Sequence, residues 1–397
     1  MTSQLVLPKL ARPGHASHCN RCIQGLGPGQ TEYDTSRLCA HGDRRMAVGF
    51  YCIASLDVLG LVESKMKEHE RDWIREWIWA QQIERSSGAG FRSGTAVAPA
   101  AGISESAAAQ LAAYDPPDLI MTYTSLLLLS ILRDDFARLK RTQIARLLAA
   151  CQTSDGSFTL MPGEGDADLR TTYCAFAIAS MLDDWSGIDV PRAIAYIRRC
   201  QASNALLGQL VAHLCDCQTW EGGFGQDELQ EAVGGTTYCA LAALALAPVP
   251  HPVLSPEKHS AALRWLILKQ RSDEGFCGRT NKEADACYSF WCGAALAVLG
   301  HADLIDRQRN AAFIARCQFK FGGIAKAPGE HPDPFHTYMS VACLSIYPPY
   351  PDLCPGDTVP ETDVAKASWA FASFDPVLNA TTETAAWARR HIPQHSE

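Results

Sequence analysis

A carboxylate, a thiol and an imidazole stand at comparable places in two neighbouring stretches of the chain. Asp285 and Cys287 lie nine and eleven residues after Phe276, and His336 lies twelve after Ile324. Phe276 and Ile324 each follow a glycine, and each of the three groups opens an apolar run, "CYSFWCGAALAVLG" or "HTYMSVACLSIY". Asp, Cys and His form a plausible zinc set, because three protein ligands leave the fourth position open for chemistry. The competing reading is an N-capping aspartate, a packed cysteine and a hydrogen-bonded histidine. Residues two apart on a regular helix point to opposite sides, so Asp285 and Cys287 share a ligand only where a helix begins. A helix start is also expected to lower the thiol pKa of Cys287.

The residues just before this set are basic and hydroxylic. "GRTNKEADACY" places Arg279, Lys282 and Tyr288 around the same helix start. Cations beside a helix N-terminus suit an anion, phosphate above all. The alternative is a charged loop facing water. Trp291 and aromatics such as Tyr173 supply apolar surface nearby.

What must position these groups is a helical repeat. Apolar residues recur at helical spacing over 46–59, 121–132, 142–151, 171–182, 236–247, 261–270, 286–299 and 336–346. Between them a punctuation returns, in which glutamine leads to glycine and then to an apolar residue. It reads "QQIERSSGAGF" (81–91), "QTSDGSF" (152–158), "QTWEGGF" (218–224), "QRSDEGF" (270–276) and "QFKFGGI" (318–324). The steps between these turns are 67, 66, 52 and 48 residues. A period near 50 with two helices per unit predicts stacked helical hairpins. The small residues after each turn favour an all-α, α/α toroid, a single domain over 1–397 with an inner and an outer ring. Insertions are expected at 39–45 and 202–217, and loops at 92–118 and 347–365.

Bulk properties narrow the class. The 397 residues carry a net charge of -8, with 47% hydrophobic and 20% charged residues, so no concentrated basic face suggests nucleic acid. No apolar run has the roughly 18 residues of a membrane span, and the amino terminus does not read as a signal peptide. A soluble, cytoplasmic protein is expected, in which most of the 16 cysteines are packed thiols. "HASHCNRC" (15–22) contains a CxxC flanked by histidines, half a zinc finger without its second pair.

Read together, these motifs carry a resemblance. "GFCGRTNKEADACYSFW" (275–291) resembles the β subunits of the CaaX protein prenyltransferases. So do "YDTSRL" (33–38), "MTYT" (121–124), "DLRTTYCAFAIASMLDDWSGIDVPRAIAYIRRCQ" (168–201), "GGTTYCALAAL" (234–244) and "HPDPFHTYMS" (331–340). The resemblance implies an α/α toroid paired with a separate α subunit, and one Zn2+ held by Asp285, Cys287 and His336. It implies that a substrate cysteine attacks the first carbon of an isoprenyl diphosphate, and that Arg279, Lys282 and Tyr288 bind the leaving diphosphate. Within the family, the type I geranylgeranyl-transferring members are the nearest likeness. Lys326 stands where farnesyl-transferring members carry a magnesium-binding aspartate, so Mg2+ is not expected to be required. Ala47 and Tyr51 stand where those members have tryptophans, which makes room for a fourth isoprene unit. Five buried carbons at about 0.8 kcal/mol each would favour the longer lipid by roughly 4 kcal/mol.

Expected substrates are geranylgeranyl diphosphate and Rho-like small GTPases ending in a CaaX motif with terminal leucine. Arg170 is expected near the peptide carboxylate, as is Asp166. Tyr173, Gly234, Gly235, Trp291 and Phe335 are expected to line the isoprenoid and peptide site. Phe335 replaces the leucine or tyrosine usual in the family. Val233 and Asp118 stand where the family has histidines, one of which binds diphosphate. The rival readings are a farnesyl-transferring β subunit and a non-catalytic helical-repeat scaffold. Terpene cyclases share the toroid but need a DxDD cluster, which is absent from the sequence.

Overall fold

In the computed structural model of the chain, the described residues are 7–24, 45–94, 116–201, 221–271, 275–353, 360 and 363–393. Each of the eight segments with apolar residues at helical spacing is a helix. The inner helices are α2 (Arg45–Val58), α4 (Leu119–Ile131), α6 (Leu169–Leu182), α8 (Gly234–Leu246), α10 (Ala286–Val298) and α12 (Pro334–Ile346). The outer ones are α1 (Arg12–Gln24), α3 (Glu68–Trp79), α5 (Arg141–Cys151), α7 (Val190–Arg199), α9 (Pro256–Ile267) and α11 (Arg307–Cys317), and α13 (Thr382–His391) follows them. The periodicity passes over α1, α3, α7, α11 and α13, whose short runs mix charged or polar residues with the buried ones. In α3 only Ile74, Ile78 and Trp79 are buried, on a helix reading EHERDWIREWIW.

The inner helices pack in sequence from α2 through α12, and α12 packs back on α2. That last contact makes a closed toroid rather than an open solenoid. Inner-helix residues are buried nearly all round (thirteen residues of α4 leave only Ile120 partly exposed), as a helix enclosed by both rings requires.

The punctuation residues have structural work. Gln152 pairs with Phe158, Gln270 with Phe276 and Gln318 with Ile324 across each glycine turn. The Gln152 side chain accepts from the Asp189 amide at 2.7 Å and donates to the Asp189 carbonyl at 3.1 Å. Gln270 repeats the clasp on Asp306, at 3.0 and 2.9 Å. Asp189 and Asp306 are the N-caps of α7 and α11, so each glutamine locks one outer helix to the next. On the inner side, the amides of Phe224 and Ile324 both donate to a threonine thirteen residues on, Thr237 and Thr337, at 2.9 Å.

One turn differs from expectation. Phe224 pairs with Gln201, 49 residues after Gln152, while Gln218 of the quoted turn lies outside the described residues. The extra chain therefore falls between the two halves of one turn. The insertion at 202–217 and positions 39–44 lie outside the described residues, as do 33–38 and most of 92–118. The expected loop at 347–365 ends in a short helix, Val364–Ala367, which the periodicity had not indicated. It is a single turn with no buried residue, too short to leave a pattern.

The toroid is closed at one end by the stretch 374–379. Tyr123, Tyr173, Tyr238 and Tyr338 each sit five residues after the N-cap of α4, α6, α8 or α12. Their hydroxyls donate to the carbonyls of Leu378 (2.9 Å), Val377 (3.0 Å), Pro376 (2.9 Å) and Asn379 (2.7 Å). Four inner helices thus hold four consecutive carbonyls.

Candidate metal and diphosphate site

The N-termini of the inner helices are capped alike. Asp118, Asp168, Asp285 and Asp333 each accept a backbone N–H of the first turn from an extended N-cap conformation. Val233 occupies that place on α8 and offers no side-chain cap. Asp285 and Asp333 both fall nine residues after the apolar residue of their glycine turns, which makes them true equivalents. Cys287 is then the second residue of α10 and His336 the third of α12. The equivalence read between Cys287 and His336 was therefore one residue out.

The three donors nevertheless converge, since the ligand atoms of Asp285, Cys287 and His336 all lie within 4.8 Å of one another. Asp285 reaches them because it precedes the helix, where the alternation of faces does not yet hold. Its Oδ1 accepts from the Cys287 amide at 3.0 Å and faces His336 Nε2 at 3.4 Å. The other imidazole nitrogen, Nδ1, lies 2.6 Å from Asp333 Oδ2. A carboxylate behind a metal-facing imidazole fixes its tautomer and ring plane. Sequence reading missed Asp333, although its place nine residues after Ile324 was a usable signal.

The thiol and the imidazole hold their protons more tightly than usual. Burial pushes the Cys287 thiol well above its ordinary value, and the Asp285 carboxylate adds to the rise. This corrects the expectation of a lowered thiol, because a helix start does not offset burial beside an anion. Burial alone would lower His336, but its bonds to Asp285 and Asp333 prevail and raise it to about 9. Burial would raise Asp285, but hydrogen bonds from His336 and Cys287 prevail and lower it. Hard, borderline and soft donors on three sides, with a second-sphere carboxylate in place, fit a divalent zinc ion with one coordination position left open.

The basic residues sit on a short excursion between Cys277 and Ala284, which pair across its base. Within it Lys282 donates its amide to the Arg279 carbonyl at 3.3 Å, with Asn281 left-handed at φ 60. Arg279 pairs with Glu231 at 3.0 Å, and both side chains are about half exposed. Lys282 is exposed. Tyr288 is fixed by two glycines. A Cβ on Gly278 would lie 2.0 Å from the Tyr288 ring, and one on Gly234 would lie 2.9 Å from it. The Gly234 amide donates to the Gly278 carbonyl at 2.9 Å, holding both against the ring. Burial raises the Tyr288 phenol above its ordinary value, so it remains a hydrogen-bond donor. Lys326 reaches the same helix start through its backbone, whose carbonyl accepts from the Ala286 amide at 2.8 Å, and its side chain is exposed.

Sequence reading also missed Lys269. Its ammonium is buried, donates to Thr280 Oγ1 within the excursion at 3.1 Å, and lies 4.3 Å above the Trp265 ring.

An aromatic row runs away from His336. Phe335 packs edge-on to His336 (5.0 Å between centroids), to Tyr51 (5.4 Å) and beside Trp291 (6.4 Å), which touches Tyr238 (5.4 Å). Gly235 lies under Trp291, where a Cβ would be 3.8 Å from the indole. Ala47 is buried on α2, one turn before Tyr51. Tyr173 adjoins the row through Tyr238 (5.4 Å), and its hydroxyl, like that of Tyr238, is engaged at the floor, by Val377 and by Tyr123 and Tyr238. Arg170 is clamped by Asp168, whose buried carboxylate accepts from its Nε at 2.9 Å and also from Nη2. That bond outweighs burial and raises the guanidinium further.

A closed ring of helical hairpins with its polar groups at the inner-helix N-termini is the prenyltransferase α/α toroid, and the model of that domain matches residues 10–380. The chain is 38% identical over 311 residues to the geranylgeranyl transferase type-1 subunit beta of Dictyostelium discoideum, covering 75% of this chain and 82% of that one. It is 37% identical to the corresponding subunit of Arabidopsis thaliana, over 57% of this chain and 58% of the relative. The chain belongs to the family of geranylgeranyl transferase type-1 β subunits, within the prenyltransferase enzymes. Protein geranylgeranyltransferase-I of Candida albicans, solved complexed with GGPP, shares the fold with a TM-score of 0.74, covering 97% of this chain and 99% of that chain at 24% identity. A protein farnesyltransferase subunit beta of Schizosaccharomyces pombe is 31% identical over 57% of this chain and 58% of its own length.

Proposed function

We propose that this chain, with an α subunit, transfers a geranylgeranyl group from its diphosphate to the cysteine of leucine-ending CaaX motifs, on Rho-like small GTPases in the cytoplasm. The observation that carries this is the convergence of Asp285, Cys287 and His336 beside the Arg279–Lys282 excursion, in a chain of this family. Among the described residues no helix is long and apolar enough to cross a membrane.

Zn2+, held by Asp285, Cys287 and His336, would supply a substrate cysteine kept as thiolate near neutral pH. Asp333, 2.6 Å from Nδ1, would keep the proton of His336 there and leave Nε2 facing Asp285. In the transfer the substrate sulfur bonds to the first isoprenyl carbon, while the bond from that carbon to diphosphate oxygen breaks. Arg279, Lys282 and Tyr288 would donate hydrogen bonds to the charge that develops on the departing diphosphate. Lys326 would add a fixed positive charge there, in the role of Mg2+. Tyr51, Phe335 and Trp291 would enclose the isoprenoid and exclude water. Arg170 would meet the peptide carboxylate, and Ala47 would leave room for the fourth isoprene unit.

The test is a transfer assay on the heterodimer with a leucine-ending CaaX peptide, both isoprenyl diphosphates, and Mg2+ present or absent. The expected result is magnesium-independent geranylgeranylation with about one zinc per heterodimer. Magnesium-dependent farnesylation would overturn the lipid assignment, and an active enzyme lacking zinc would overturn the metal assignment.

A further inference from the structure

The half-finger motif acquires a partner in the fold. His18, Cys19 and Cys22 share one face of α1 at i, i+3 and i+4 spacing. His18 Nε2 lies 4.0 Å from Cys22 Sγ. Cys52, on the inner helix α2, lies close enough to Cys19 and Cys22 across the α1–α2 packing to interact with both thiols. Cys19 and Cys52 are fully buried, while Cys22 keeps a partly exposed surface. All three are free thiols.

Two chemistries compete for such a cluster, metal binding and thiol oxidation. Among the described residues, Asp285, Cys287 and His336 form the group whose three donor atoms all lie within 4.8 Å of one another. The α1–α2 thiols instead touch pairwise through Cys52, which is the arrangement of a thiol with a resolving partner. We propose that Cys22 is an oxidation site, attacked by a hydroperoxide and resolved by Cys52 as a disulfide that staples α1 to α2.

The two sulfurs have distinct roles. Cys22 is held below the ordinary thiol range by a hydrogen bond from Cys52, against the effect of burial, with help from His18 and Arg21. Cys52 is pushed up by its contacts with Cys19 and Cys22 and by burial, so it keeps its proton. Reactive sensor thiols combine thiolate character, access and an adjacent resolving cysteine. In the first step the Cys22 thiolate attacks a peroxide oxygen, the O–O bond breaks, and hydroxide leaves as water after taking a proton. The sulfur is thereby oxidised to a sulfenic acid. In the second step Cys52 attacks that sulfur, the S–O bond breaks, and a second water leaves with the thiol proton. Two thiols and hydrogen peroxide thus yield one disulfide and two waters. Inner-ring thiols such as Cys174, Cys239 and Cys292 are buried and raised by burial, so they do not compete.

The test treats the intact heterodimer with submillimolar hydrogen peroxide, blocks free thiols and maps tryptic peptides by mass spectrometry. Cleavage after Arg21 separates Cys19 from Cys22, and Cys52 lies on a third peptide that begins at Met46. The expected product is a Cys22–Cys52 linked peptide, with Cys22 alkylated at least about tenfold faster than the inner-ring thiols before oxidation. In a Cys52→Ser heterodimer, a sulfenic-acid probe should label Cys22. A link through Cys19 in place of Cys22, or no link while other thiols oxidise, overturns the proposal. So does a second zinc per heterodimer that shields these thiols from alkylation. The wild-type map needs no variant to fold.

Discussion

His336 is gripped from behind by Asp333, whose Oδ2 lies 2.6 Å from Nδ1 while Nε2 faces Asp285 at 3.4 Å. The same carboxylate caps α12 through its other oxygen, which accepts from the His336 amide at 2.8 Å. One side chain therefore sets both the start of the helix and the direction of the imidazole. Asp333→Asn should keep much of the cap but weaken the polarisation of the ring, and Asp333→Ala should lose both. Outer-sphere partners of this kind are worth about 10–100-fold in metal affinity. Zinc competition against a chelator should show that loss for Asp333→Ala and a smaller one for Asp333→Asn. Unchanged affinity in both variants would remove Asp333 from the metal site.

The protonation state of the metal-free site predicts how metal binding depends on pH. His336 titrates near 9 and Cys287 well above the ordinary thiol value, so both must lose a proton to become ligands. Apparent zinc affinity of the heterodimer should rise by about a hundredfold per pH unit between pH 6.5 and 8. A slope near tenfold would show that only one proton is released. Metal-free stability should run the other way. Below pH 6.5 the His336 ion pairs contribute fully, because the imidazole is protonated both folded and unfolded. As pH rises from 6.5 through about 9 the contribution is lost, on the order of 3 kcal/mol. Denaturant midpoints of the chelator-treated heterodimer check the sign.

Much of the ring was legible because its inner helices are apolar on every side and its turns repeat. The even helices announce themselves through runs such as "TSLLLLSIL", and the glutamine and glycine of each turn mark their boundaries. Outer helices such as α3 were not legible, since a narrow buried stripe among charged residues leaves a weak pattern, and α7 is a run of only 10 residues interrupted by Arg192, Arg198 and Arg199. In the site, the type and spacing of Asp285, Cys287 and His336 left a metal and a plain capping and packing reading both open, and the basic residues before them and the family resemblance weighed for the metal. Asp333 was hidden because an aspartate at a helix start has an ordinary explanation as a cap. Lys269 and Cys52 were hidden for another reason. Each acts on a partner from a different element, Thr280 or α1, and no local spacing records that meeting.

Lys269 is placed to hold the excursion that carries Arg279 and Lys282, through its bond to Thr280. It is 4% exposed, and its ammonium is satisfied by Thr280 and the Trp265 ring, with no carboxylate paired to it among the described residues. Lys269→Met should release Thr280 and loosen the turn that carries Arg279 and Lys282. A lost part-buried hydrogen bond of about 1 kcal/mol corresponds to a rise of roughly fivefold in KM for the isoprenyl diphosphate. The KM for peptide should stay constant. Thr280→Val should reproduce the effect by removing the acceptor. A fall in overall stability with no change in the diphosphate KM would confine Lys269 to packing.

Tyr173 can be tested for a role in substrate binding or in closing the toroid. Its ring is 4% exposed, and its hydroxyl donates to Val377 at 3.0 Å between the hydroxyls of Tyr123 and Tyr238. Burial raises all three phenols well above their ordinary value, so they stay protonated through the physiological range. Tyr173→Phe keeps the ring and leaves the Val377 carbonyl without that donor, at a cost of about 1–2 kcal/mol in stability. Removing the neighbouring hydroxyls as well should cost less than the sum of the single changes, because the three bonds share one network. If the hydroxyl serves the floor, these variants unfold earlier while KM for both substrates stays within about twofold. If Tyr173 instead contacts the isoprenoid or peptide through its hydroxyl, KM shifts several-fold in Tyr173→Phe and not in Tyr123→Phe. The pair of variants separates the two roles, since both tyrosines hold the same stretch but only Tyr173 lies beside the row expected to meet substrate.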